Sequence, residues 1–165
     1  MYIKRQILIV DENPYVVDIL VQTLSQDFDI TVANTGQEAA RLLIQGYRFD
    51  SVLTELDLPV FSGLELIKLI RMSKLSVTTP IIVLSHVSDS LTRINCLEQG
   101  ADSFLSKPFN PLEVKAILFA HIRRADAPDV RSHSHQPIQF NEASRSFWSQ
   151  GSRILSTLFN DFAIS

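Results

Sequence analysis

One cysteine, Cys96, is all the thiol chemistry that this 165-residue chain offers. That excludes an internal disulfide and a multi-cysteine zinc site, and it fits a reducing cytoplasm. Free cysteine is among the most buried residue types, so Cys96 is expected to be a small core residue. Excess basic charge is missing too: 15 Lys and Arg against 18 Asp and Glu leave a formal net charge of −3. Without a positive field, the chain as a whole does not suit wrapping nucleic acid or lying on an anionic membrane, and DNA binding would need a local patch. No apolar run approaches the ~20 residues of a membrane span. Met1 to Arg5 leads straight into a strand-like run with no signal-peptide pattern, so a cytoplasmic location is expected.

What is present is an ordinary globular composition. Apolar residues make up 45% and charged residues 20%, which is far from the signature of disorder and implies that most of the chain folds. The length suits one domain of ~100–150 residues with a short remainder.

Strand-like runs alternate with helical patterns: Ile7-Leu8-Ile9-Val10, Ile30-Thr31-Val32-Ala33, Ser51-Val52-Leu53-Thr54, Ile81-Ile82-Val83-Leu84 and Ser103-Phe104-Leu105. Such alternation predicts a parallel sheet. Helix starts are marked independently of periodicity. Asn13-Pro14 and Asn110-Pro111 each put a cap before a proline at the first helical position. Thr35-Gly36-Gln37-Glu38 and Ser62-Gly63-Leu64-Glu65 read as capping boxes. Five strand-then-helix repeats predict an α/β fold, an open doubly wound parallel sheet ending near Arg124. Residues 125–137, polar with Pro128 and Ser132-His133-Ser134-His135, read as a linker. Residues 138–165 carry short strand candidates around Gly151 and suggest an antiparallel meander too small for a core of its own.

In doubly wound sheets the working site lies at the carboxyl ends of the strands. That rule singles out Asp11 and Glu12 after the first strand, Glu55 after the third, Ser85 after the fourth and Lys107 after the fifth. Three carboxylates together repel, so a cation or Lys107 is expected nearby.

The stretches Ile7-Leu8-Ile9-Val10-Asp11-Glu12-Asn13-Pro14, Asp57-Leu58-Pro59 with Gly63, and Gly100-Ala101-Asp102-Ser103-Phe104-Leu105-Ser106-Lys107-Pro108-Phe109 resemble, in that order, the receiver domains of two-component response regulators. The resemblance covers roughly residues 5 to 124 and implies a flavodoxin-like sheet of order 2-1-3-4-5. It also implies a site that takes a phosphoryl group from a histidine kinase onto an aspartate after the third strand, aided by Mg²⁺. In that chemistry, acidic groups hold a hard cation, the cation and a lysine neutralise developing charge, and a hydroxyl senses the product. The resemblance assigns Asp11 and Glu12 to the acidic pair, Ser85 to the hydroxyl, Lys107 to the lysine and Phe104 to the aromatic that reports activation.

At the acceptor the chain departs from the pattern. In receivers the loop proline and glycine lie four and eight residues beyond the acceptor, and counting back from Pro59 and Gly63 gives Glu55 both times. Asp57 is then a loop residue that lends a backbone carbonyl to a metal, or simply sits in the loop. The rival register, with Asp57 as acceptor, needs a two-residue displacement of strand and loop together. Glutamate in place of aspartate reaches about 1.5 Å further into the cavity. It spoils the positioning on which phosphoryl transfer depends and brings an anion toward Lys107 and Ser85, in incomplete imitation of a phosphoryl group. His86, where receivers carry a small residue, either crowds an incoming phosphodonor or turns outward onto the surface. With no serine or cysteine nucleophile at a recognisable spacing, no catalytic role for it is expected.

Further expectations concern metal, two histidines and the last helix. Asp11, Glu12, Glu55 and the Asp57 carbonyl form a weak Mg²⁺ site, or one left empty because Glu55 pairs with Lys107; no cofactor is required. His133 and His135, alternating in a polar segment, are read as solvated. Ile117 and Phe119 on the last helix exceed what the core needs, and they form a homodimer face with the fourth helix and fifth strand, or else pack on the linker. In receivers joined to winged-helix (OmpR/PhoB-type) domains, charged pairs organise that dimer. Ser103 and Ile117 align with one such pair, so an apolar contact replaces it here. Residues 138–165 are similar to the first strands of that effector domain, read either as the start of one in a longer regulator that carries the DNA-reading helix or as a remnant with another role.

The chain is therefore expected to be a non-enzymatic, atypical response regulator, held in one state without phosphorylation and controlling transcription through a dimer. A slowly phosphorylated receiver, or a stand-alone adaptor binding a kinase or another regulator, are the competing expectations.

Overall fold

A computed structural model describes residues 4–74 and 76–127. Five strands alternate with five helices: β1 (Arg5–Val10), α1 (Pro14–Leu24), β2 (Phe28–Ala33), α2 (Gly36–Ile44), β3 (Ser51–Thr54), α3 (Gly63–Met72), β4 (Ile81–Ser85), α4 (Ser90–Glu98), β5 (Ser103–Ser106) and α5 (Pro111–Asp126). All pairings are parallel and the strand order is β2-β1-β3-β4-β5, the doubly wound arrangement that the alternation predicted.

The period of two along each strand divides the core. Ile7 and Ile9 of β1, Leu53, Ile82, Leu84 and Leu105 face α1 and α5, packing on Val17, Leu20, Leu24, Val114, Leu118 and Ile122. Leu8, Val10, Val52, Ile81 and Val83 face the other way, onto α2, α3 and α4 through Ala39, Leu66, Ile67, Ile70 and Cys96. Strands buried on both faces explain why β1 and β4 read as continuous apolar runs. Cys96 is buried as expected, and burial pushes its thiol pKa up.

The caps form as the residue types dictate, with one difference. Asn13 and Asn110 accept the amides of Tyr15 and Leu112, and Ser62 and Glu65 form a reciprocal capping box. At α2, Thr35 accepts the Glu38 amide, but the Glu38 carboxylate bonds the amide of Asn34 instead of Thr35. The box is thus displaced by one residue. A fifth cap, Asp89 accepting from Thr92, starts α4.

The last helix ends close to the expected boundary near Arg124. It continues through Asp126, whose carboxylate meets Arg5 at 2.6 Å, and its last turn closes with the Ala127 amide bonded to the Arg123 carbonyl. The remainder of the expected linker, including His133 and His135, and the expected meander of residues 138–165 lie outside the described residues.

Candidate functional site

The switch point of the strand order falls between β1 and β3, and the site residues hang from the sheet ladder itself. Beyond the strand ends, the Asp11 amide bonds the Ala33 carbonyl at 3.2 Å, the Glu55 amide the Val10 carbonyl at 2.8 Å, and the Lys107 amide the Ser85 carbonyl at 2.8 Å. Each of these three residues is therefore the next rung of a parallel pairing, and its side chain starts from a fixed origin. The Lys107–Pro108 peptide is cis.

These origins bring three charged side chains into contact. The Lys107 ammonium donates to Asp11 Oδ2 at 2.5 Å and to Glu55 Oε2 at 2.6 Å. The side chains are 4% (Lys107), 3% (Asp11) and 6% (Glu55) exposed, so water screens the pairing little. The other oxygens are engaged as well. Asp11 Oδ1 accepts the Asn13 amide at 2.8 Å, and Glu55 Oε1 accepts the amides of Leu56 at 2.6 Å and Asp57 at 3.1 Å. Burial pushes the Glu55 pKa up, but the Lys107 hydrogen bond, the Ser85 hydroxyl, the Asp57 amide and the Lys107 charge together outweigh it. The net effect holds the carboxyl below its usual value of 4.5.

The loop after Glu55 is fixed from below. The Gly63 amide, at the first turn of α3, bonds the Leu56 carbonyl at 3.0 Å, and a Cβ on Gly63 would collide with the Glu55 carbonyl oxygen. Only glycine lets α3 approach this closely. Gly63 thus sets the height of the loop whose amides hold Glu55.

Ser85 is fully buried at the end of β4, with its hydroxyl accepting the Val87 amide at 3.3 Å. A cleft of about 190 Å³ opens above the charged triad, and Glu12, Asp57, His86 and Val87 contribute to its walls. Glu12 and Asp57 are exposed. His86 is exposed yet borders this cleft and a neighbouring apolar groove with Tyr15, Ile19 and Phe109, which combines the two orientations expected for it. Four carboxylates against one ammonium leave the cleft strongly anionic.

Mg²⁺ does not fit this donor set as it stands. The two buried carboxylates that would ligate it already enclose an ammonium, and Glu12 is exposed. Among the described residues, no group of three or more His, Cys, Asp or Glu side chains is gathered closely enough to hold a metal ion.

Phe104 packs, partly buried, against the α2–α3–α4 core, and the Arg93 guanidinium of α4 lies 5.5 Å over its ring. Nothing in the sequence pattern singled out Arg93, because the contact joins a helix to a strand that share no local spacing. The expected interface on α5 is partly spent within the chain. Ile117 is half-buried on the α1–α5 core, and the Phe119 ring lies 5.0 Å from that of Phe28. Packing of α5 toward β2 covers part of this face, and Phe119 stays 38% exposed. Ser103, aligned with Ile117 from sequence, instead has its hydroxyl 2.8 Å from His121 Nε2. Other apolar side chains of α4 and α5 are more exposed: Leu91 at 79%, Leu112 at 66%, Ile94 at 51% and Leu97 at 47%.

Comparison with known proteins agrees with the geometry. The family model of the response regulator receiver domain matches residues 7–119, and the chain belongs to that family. The DNA-binding response regulator MtrA of Mycolicibacterium smegmatis is 28% identical over 93% of this chain and 66% of its own length. The alkaline phosphatase synthesis transcriptional regulatory protein PhoP of Bacillus subtilis is 32% identical over 74% of this chain and 50% of its own. The chain thus spans about half to two-thirds of the length of these curated relatives. Among solved structures, the receiver domain of the sensor histidine kinase PA1611 from Pseudomonas aeruginosa superposes with a TM-score of 0.64 at 30% identity, covering 73% of this chain and 99% of that one. That structure holds a magnesium ion in its active-site cleft. No helix among the described residues is long and apolar enough to cross a membrane.

Proposed function

We propose that this receiver transmits its signal without accepting a phosphoryl group, with Glu55 standing at the acceptor position as a built-in, partial substitute for the phosphorylated state. One observation carries the reading: the Glu55 carboxylate takes the Lys107 ammonium on one oxygen and the amides of Leu56 and Asp57 on the other. Those are the donors that a transferred group would need, and they are already satisfied. A phosphodonor approaching the cleft meets an anionic wall and His86 at its rim, and in-line attack depends on positioning that a longer, clamped side chain does not offer.

The output on this reading is control of transcription through a homodimer, with DNA read by a fuller winged-helix effector. The names of MtrA and PhoP support the transcriptional output. The exposed Leu91, Ile94 and Leu97 of α4, a helix that packs beside β5, support the dimer.

Incubation with a small-molecule phosphodonor and Mg²⁺, followed by intact mass measurement, tests the central statement. No stable gain of mass is expected. Gain of one phosphoryl group would overturn it and favour the phosphorylatable receiver.

A further inference from the structure

We infer that Lys107 serves as the resident cation of this site, so that the cleft excludes divalent metal although it keeps its carboxylates. The inference rests on the reading of Glu55 as standing at the acceptor position. Hard divalent cations such as Mg²⁺ require oxygen ligands at about 2.0–2.1 Å in near-octahedral order. Here the two buried carboxylates converge on one nitrogen, at 2.5 and 2.6 Å. Their remaining oxygens are turned to the amides of Asn13, Leu56 and Asp57. A metal entering between Asp11 and Glu55 would meet the ammonium head-on, and moving that ammonium away would strip a buried charge of both its partners. Glu12 and Asp57, both exposed on the cleft wall, attract cations only through solvent. One oxygen of Glu55 reaches the ammonium while the other folds back onto the amides of its own loop, so both lone-pair faces of the carboxylate are occupied.

Titration of the full chain with Mn²⁺, read by loss of the free-ion electron paramagnetic resonance signal and by Mg²⁺ competition, tests the proposal. The wild-type chain is expected to show no site at millimolar metal. Lys107→Met removes one unit of positive charge from between the two buried carboxylates and is expected to raise affinity about a hundredfold. Glu55→Asp, a smaller change that shortens the clamp, is expected to gain metal binding in the same direction and decides the matter if Lys107→Met does not fold. Submillimolar binding by the wild type, or no gain in either folded variant, would overturn the proposal. This outcome is separable from the phosphoryl assay. A wild-type chain that binds Mn²⁺ yet gains no mass refutes only the resident-cation proposal, and one that gains mass refutes the reading of Glu55.

Discussion

Replacing Glu55 by glutamine keeps the shape of the side chain and removes its charge. The amide oxygen would still accept the Leu56 and Asp57 amides, but the NH₂ group would then face the Lys107 ammonium, donor against donor, across the present 2.6 Å contact. Loss of a hydrogen bond between charged groups costs ~1.5–3 kcal/mol. Breaking a buried pair outright costs ~3–5 kcal/mol. Because Lys107 keeps Asp11, the lower range applies, and about 2 kcal/mol is expected. With a urea slope of ~1–3 kcal/mol/M for a domain of this size, the midpoint falls by about 1 M. The effect depends on pH with a definite sign. Folding lowers the Glu55 pKa below 4.5. Its ionised form therefore stabilises the protein fully above 4.5, and that stabilisation is lost as pH falls through the folded value. Urea titrations of wild type and Glu55→Gln should differ by a constant amount near neutrality and converge on acidification below 4.5. Equal midpoints at neutral pH, or a difference that persists unchanged in acid, would refute the account of Glu55 as a clamped anion.

Arg71→Ala should destabilise by roughly 2–4 kcal/mol in the same assay, since this one guanidinium donates to the carbonyls of Gly100, Val77 and Thr79 and to Asp102, and removing it leaves several acceptors unpaired. Lysine should restore little of that, because it lacks the planar fork. Gly63→Ala should cost about 1–3 kcal/mol through collision with the Glu55 carbonyl, again read as a shift in urea midpoint. Arg93→Ala should cost only about 0.5–1 kcal/mol, the worth of an exposed cation–π contact. For the dimer, Leu91→Arg should lower the solution mass from dimer to monomer in analytical ultracentrifugation with no loss of fold. Ile117→Arg should instead destabilise the monomer, because Ile117 packs on the core.

How much of this was legible in the sequence differs by level. The central strands β1, β3 and β4 announced themselves because both faces are buried, and the caps because Asn, Thr and Ser sat where orphan amides begin. Asp11, Glu55, Ser85 and Lys107 stand at or just past the carboxyl ends of their strands, where the fold rule places a site, and the structure gathers them at one end of the sheet. The tie from Arg5 to Asp126 was not legible, because it joins residues at opposite ends of the domain. The roles of Arg93, Arg71 and His121 were hidden for the same reason: each acts across elements, where no local spacing carries a signal. The contact of Phe119 with Phe28 was not legible either, because periodicity counts apolar faces but does not show that α5 leans on β2.

The backbone bonds that continue the sheet past its strand ends bear on how this site can move. The amide protons of Asp11, Glu55 and Lys107 belong to the parallel ladder, so their exchange with solvent should track opening of the whole sheet instead of local fraying. Rearrangement here is then expected in side chains and loops above a hydrogen-bonded floor. Whatever message leaves the cleft does so through rotamers and through the loops that rest on them.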